Sequence, residues 1–243
     1  MHRRKFLFSL LMVAFPVVGT SQAQLLEQRT GPIYAMGVNF GIVSYFSSAL
    51  SCCKGMRSEV MARSAANGLL NVENDLIRIG INSGGWDKFL PLAELKALQN
   101  EYSAMANNFA ACSNGGACGY GDDWKAQSGA QLTQLFTNVL STRDGITTTF
   151  SKISKRANDT YVLGVNVGIA EGHATQGEST RLVVYASLTN ARNAAQQLNL
   201  DLAPIDACIA LASGSTPIED SALGGCLIFR QTPRQRGSVD TKT

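Results

Sequence analysis

Met61-Ala62-Arg63-Ser64-Ala65-Ala66-Asn67-Gly68-Leu69-Leu70-Asn71-Val72-Glu73-Asn74-Asp75-Leu76-Ile77-Arg78-Ile79 sets apolar residues at Met61, Ala65, Leu69, Val72, Leu76 and Ile79. Spacings of 4, 4, 3, 4 and 3 are turned to one face only by a helix. Gly84-Gly85 ends it, since paired glycines favour the irregular backbone of a helix stop. A second series, Leu92, Leu95, Leu98, Tyr102, Met105, Phe109 and Cys112, follows Pro91 with the same period. The two stretches predict an antiparallel helix pair, and Cys112-Ser113-Asn114-Gly115-Gly116-Ala117-Cys118 predicts a loop pinned at its base by a disulfide.

Further along, Asp122-Asp123 suits a helix start, and Leu132, Phe136, Val139, Ile146, Phe150, Ile153 and Ala157 keep helical period. Arg143-Asp144-Gly145 interrupts the series, predicting one bent helix or two. A last series runs Leu182, Tyr185, Leu188, Ala191, Ala195, Leu198, Leu202, Ile205 and Ile209, with Pro204 expected to kink or end the helix near Ala203. The β-branched stretch Val162 to Val167 fits a helix or a short strand, and a second short strand is expected near Leu227. Gly164 and Gly168 have the spacing of a G-x-x-x-G contact, read here as a tightly packed helix or a loop. The expected fold is mainly α: an elongated helical bundle over residues 58–213, preceded by an apolar segment at 24–57 and followed by an irregular tail at 214–243.

The N-terminus sets the expected compartment. Arg3, Arg4 and Lys5 precede an apolar core from Phe6 to Val18, and Ser21-Gln22-Ala23 offers small residues to a signal peptidase. This pattern predicts a secretory signal over residues 1–23, cut before Gln24, and a periplasmic or extracellular protein. The apolar run is shorter than the roughly 20 residues of a membrane span. Losing those three cations leaves 18 basic against 18 acidic residues. A neutral chain gives no electrostatic reason to bind nucleic acid. Hydrophobic residues are 45% and charged residues 16% of the whole chain, so Asn, Gln, Ser and Thr must supply much of the surface polarity.

Cys52, Cys53, Cys112, Cys118, Cys208 and Cys226 remain after cleavage. In an oxidising compartment they are disulfide candidates. Locality favours Cys112 with Cys118 and Cys208 with Cys226, leaving Cys52 and Cys53 to a strained vicinal bridge or to another pairing. No C-x-x-C spacing supports zinc, and neither a metal nor a cofactor is expected.

His173 is the one histidine after the leader, flanked by Glu171 and Glu178. One imidazole and two carboxylates are the groups that ligate metals or share protons, yet the spacing matches no metal-binding helix, and no G-x-S-x-G elbow accompanies it. Asp122-Asp123 and Glu219-Asp220 are read as a helix cap and a solvated loop rather than as paired catalytic acids. No catalytic residue is therefore assigned. The apolar 24–57 segment, with Phe40, Tyr45 and Phe46, either packs on the bundle or forms an assembly surface.

With its signal sequence and the low-charge helical stretches Leu92 to Phe109 and Ala191 to Leu202, the chain resembles minor-pilus proteins of type IV secretion and conjugation systems. The resemblance implies an exported, non-enzymatic helical subunit at a pilus tip or in its assembly. Its partners would be other envelope or pilus proteins, with a homo-oligomer open and no membrane span left after cleavage. Two alternatives stand beside it: a secreted hydrolase using His173 and nearby carboxylates, and a periplasmic binding module.

Overall fold

The computed structural model describes residues 20–52, 58–82, 86–113, 124–174 and 181–214. Within them the chain forms α1 (Thr20–Cys52), α2 (Ser58–Asn82), a 3-10 turn (Trp86–Phe89), α3 (Leu92–Ser113), α4 (Trp124–Ile153), α5 (Lys155–Ala174), α6 (Arg181–Gln197) and α7 (Ala203–Ser213). The protein is mainly helical, and no strand occurs among the described residues.

Residues 162–167 lie inside α5, so the strand alternative there is excluded. The region near Leu227 falls outside the described residues.

α1 contains a break. Gly31 has φ 34° and ψ −141°, a left-handed backbone that glycine tolerates without a Cβ clash, and Pro32 follows without an N–H for the ladder. Residues 32–52 therefore form a helix of their own. It lies parallel to α5 with its backbone almost touching. A Cβ on Gly37 would sit 2.5 Å from the Tyr161 carbonyl oxygen, and one on Gly41 would strike the Val165 oxygen. From the other side, Gly164 faces the Tyr34 oxygen, Gly168 faces the Val38 oxygen, and the Tyr45 ring occupies the space a Gly172 side chain would need. Residue numbers rise together along both helices, which fixes the parallel direction.

This glycine-lined pair divides the core. On one side Met36, Phe40, Val43 and Leu50 of α1 pack against α2, α3 and α4, where Leu69, Leu76, Leu98, Tyr102, Ile146 and Phe150 are buried. On the other, Tyr34, Val38, Leu163 and Val167 meet Val184, Leu188, Ala191 and Ile205 of α6 and α7. Residues 32–51 are thus a central element of the bundle rather than a segment set apart from it.

The stripe on α2 is oriented as its spacing requires: Ala65, Leu69, Val72, Leu76 and Ile79 are buried and Met61 packs against them. α3 folds back along α2, with Lys96 Nζ 3.2 Å from Glu73 Oε1. α4 runs unbroken through Arg143-Asp144-Gly145. The interruption falls at Ser154, whose Oγ accepts the Ala157 N–H at 3.3 Å and caps α5. Pro204 does not end α6 near Ala203; the helix stops at Gln197, Asn199 takes φ 55°, and Pro204 lies in the first turn of α7, where a missing N–H is harmless. Leu182 and Tyr185 depart from the expected stripe. Val184, Leu188, Ala191 and Ala195 face inward, while Leu182 is 82% exposed.

Two polar contacts pin α1 to its neighbours. The Tyr102 hydroxyl of α3 donates to Ser47 Oγ at 2.8 Å, and Ser47 donates to the Val43 carbonyl at 2.7 Å. Asn39 Nδ2 donates to Asp75 Oδ2 of α2 at 3.0 Å, and Arg78 lies 3.5 Å from the same carboxylate. Burial pushes the Tyr102 phenol up to about 12, with the Ser47 bond working against that rise, so it stays a hydrogen-bond donor across the physiological range.

Two pairs of variants test this packing in urea unfolding. Gly168→Ala should cost about 1–3 kcal/mol because its Cβ meets a fixed carbonyl of α1, whereas Gly145→Ala, in mid-helix with open space around it, should gain about 0.5–1 kcal/mol. Equal effects would mean that the α1–α5 contact is looser than described. Tyr102→Phe should lose about 0.5–1.5 kcal/mol. Tyr161→Phe, which removes a buried hydroxyl without a hydrogen-bond partner, should be neutral or stabilising.

Candidate functional site

The three aromatic residues read as a possible assembly surface belong to the interior. Phe40 is fully buried, Tyr45 is 4% exposed and Phe46 is half-buried against the larger core. The reason is the position of α1, which is covered by α5 along one face and by α2 and α4 along another. A charge at Phe46 would accordingly be a folding lesion rather than a selective block to assembly.

His173 occupies the last turn of α5. Its ring meets Tyr45 edge-on, with centroids 5.0 Å apart and planes at 70°, and the bare Gly172 makes room for the Tyr45 ring. Burial lowers the imidazole pKa from its ordinary value. Glu171 sits two residues earlier, and two positions on a helix are about 200° apart around the axis. The imidazole and this carboxylate therefore leave α5 in nearly opposite directions. Glu171 bears instead on Tyr34, whose phenol is pushed well above its usual pKa first by burial and then by that carboxylate. Glu178, Asp122, Asp123, Glu219 and Asp220 lie outside the described residues.

Tyr34, Leu163, Val167, Ala195, Leu200, Asp201 and Ile205 line about 10 Å³ between α1, α5, α6 and α7, room for about one water molecule. An open groove of about 370 Å³ between α3 and α4 has Met105 and Leu135 among its lining, together with Glu101, Asn108, Gln131 and Gln134. It offers amides and one carboxylate, so it can bind by hydrogen bonds and apolar contact but brings no proton-carrying pair together. Among the described residues no three His, Cys, Asp or Glu side chains gather where they could hold a metal ion.

Cys208 is buried in the smaller core cluster on α7, and Cys112 is half-buried in the last turn of α3. Cys53, Cys118 and Cys226 lie outside the described residues, as does the side chain of Cys52.

The surface that sequence reasoning missed is the outer face of α2. Val60, Arg63, Asn67, Leu70, Asn74 and Ile77 are all exposed, at spacings of 3, 4, 3, 4 and 3, opposite the buried stripe. Val60, Leu70 and Ile77 are 62%, 41% and 48% exposed, and Phe89 on the adjoining 3-10 turn is 65% exposed. Its signal is a second helical period in the same segment, offset from the buried one and mixed in polarity. Gly31–Ser51 is also long and apolar enough to cross a membrane by length and composition, and 61% of its most apolar window is buried within the bundle.

The His173 environment has a pH consequence. A histidine whose folded pKa lies below its unfolded one favours the neutral ring, so its stabilisation is present above the unfolded value and is lost as pH falls toward the folded one. Wild-type stability should therefore fall more steeply than that of His173→Gln as pH drops through and below about 6.5. Parallel curves for the two proteins would place His173 in solvent. Neither a protein family, nor a curated protein, nor a solved structure matches the chain.

Proposed function

We propose that this chain is an exported, non-enzymatic component of a cell-envelope assembly, in the manner of a minor pilus or type IV secretion subunit. The observation that carries the proposal is the outer stripe of α2 with Phe89. Apolar residues alternating with Arg63, Asn67 and Asn74 at heptad spacing are what a partner helix packs into, and the polar members restrict the register.

Three further features support the reading. The N-terminal leader pattern supports export with a cut before Gln24. Cys112, which is disulfide-bonded at the end of α3, is taken to be joined to Cys118, a bridge that persists only outside the reducing cytosol. His173 is packed against Tyr45 at the end of a core helix, an arrangement suited to a structural role rather than to proton transfer.

The test is genetic complementation. A strain lacking the gene should lose piliation, conjugative transfer or secretion, and the wild-type gene should restore it. Phe89→Asp with Ile77→Asp should reduce restoration by at least about tenfold while the protein remains folded and exported, because both side chains are exposed and are not needed for the core. His173→Ala should restore function to wild-type level. If the double aspartate variant restores function fully, or if His173→Ala abolishes a hydrolytic activity of the purified protein, the assembly reading fails.

A further inference from the structure

α2 is enclosed on every side but one. Between Glu59 and Ile79 its residues are buried or half-buried except Val60, Arg63, Asn67, Leu70, Asn74, Ile77 and Arg78. The first six fall within about 100° of the helix circumference and run about 26 Å along it, so they form one narrow ridge on a single helix. Their spacings of 3, 4, 3, 4 and 3 place Val60, Asn67 and Asn74 at one seam position of a heptad and Arg63, Leu70 and Ile77 at the other.

We infer that the helix this ridge receives, resting on the reading that the ridge packs against a partner helix, is α2 of a second copy, antiparallel about a two-fold axis at the level of residues 68 and 69. The spacings read the same from either end, so a reversed copy keeps register along the whole ridge: Val60 meets Ile77, Arg63 meets Asn74, and Asn67 meets Leu70. A two-fold contact requires a surface complementary to itself in this way. The two ends are then apolar against apolar. The Arg63 guanidinium donates to Glu59 Oε1 at 2.9 Å and keeps further donors for the Asn74 side-chain oxygen of the other copy. Asn67 and Leu70 each come within about 4.5 Å, measured along the helix, of their own symmetry mates, so amide meets amide and Leu meets Leu beside the axis. A parallel pair would instead set Arg63 against Arg63, two like charges at one level. A seam this narrow belongs to the low end of interface sizes, below about 1,200 Å², and gives a reversible dimer with a dissociation constant on the order of 10–100 μM.

Sedimentation equilibrium of the full-length mature protein, from about 1 to 500 μM, tests this. The wild type should pass from monomer to dimer across that range. Asn74→Glu offers a carboxylate to Arg63 of the other copy twice per dimer and should tighten association about threefold or more, whereas Asn74→Lys should weaken it by about as much. Asn74 is exposed, so both variants should keep the wild-type helical dichroism. A wild type that stays monomeric, or variants that do not differ, overturns the inference; weakening by both is the mark of a parallel pair and overturns it too. If the chain is monomeric while Phe89→Asp with Ile77→Asp still blocks complementation, a different protein occupies the ridge, and this inference falls while the assembly reading stands. If the dimer responds to Asn74 as expected while that double variant complements fully, the inference stands and the assembly reading falls.

Discussion

The close approach of α1 and α5 is the constraint on which the remaining packing depends. Gly37 and Gly41 face Gly164 and Gly168 in a constant register, so the two backbones meet with no side chain between them. Small residues at four-residue spacing permit such contact on any helix pair, and it gains dispersion energy from many backbone atoms at once. Because the contact is made by backbone, it cannot relax by a rotamer change. An added methyl at any of these positions must separate the helices, and separating them would open both core clusters together.

The pair also explains how one bundle accommodates two apolar interiors. α1 and α5 each bury residues on several faces, and Tyr34 and Val38 look toward α6 and α7 while Met36, Phe40 and Val43 look toward α2, α3 and α4. Neither outer group of helices could hide its apolar stripe without this shared middle layer. The polar contacts are placed accordingly. Ser47 and Asn39 of α1 receive or make hydrogen bonds from α3 and α2, which fixes rotation of the central helix at two heights. Glycine contacts alone, lacking interlocking side chains, leave such rotation weakly determined.

Legibility in the sequence follows from the same geometry. α2 and α3 lie between core and solvent, so their residues alternate with a helical period and their spacing gave both position and inward face. The helix of α1 after Gly31 and α5 are covered nearly all round. With no solvent face there is little period to detect, and Val162 to Val167 could not be told from a strand, nor Phe40 and Tyr45 from a surface. The helix boundaries at Ser154 and Asn199 were displaced from expectation for a different reason. A Gly inside a helix, as at Gly145, is tolerated where nothing crowds it, whereas a serine cap and a left-handed asparagine act through local hydrogen bonding and backbone conformation that periodicity ignores. Leu182 and Tyr185 continued the series of α6 in sequence but not in burial, because a spacing of three drifts around the helix by about 60° at each step. For the candidate site, the sequence located His173 but not its edge contact with Tyr45, which joins residues far apart in the chain through the bare Gly172.

The break at Gly31 links this architecture to the proposed export. A continuous helix from Thr20 to Cys52 would join the leader to the central core element, and removal of residues 1–23 would shorten a rod whose remainder carries the glycine contacts. Gly31 and Pro32 separate the two. Pro32 starts the second helix at a position where no N–H is needed, and the first close contact with α5 comes only at Tyr34. The glycine contacts with α5 begin beyond the break, so the α1–α5 register is set by residues after Gly31. Residues 31–51 combine the length and composition of a membrane span with burial in the bundle, where 61% of the most apolar window is covered.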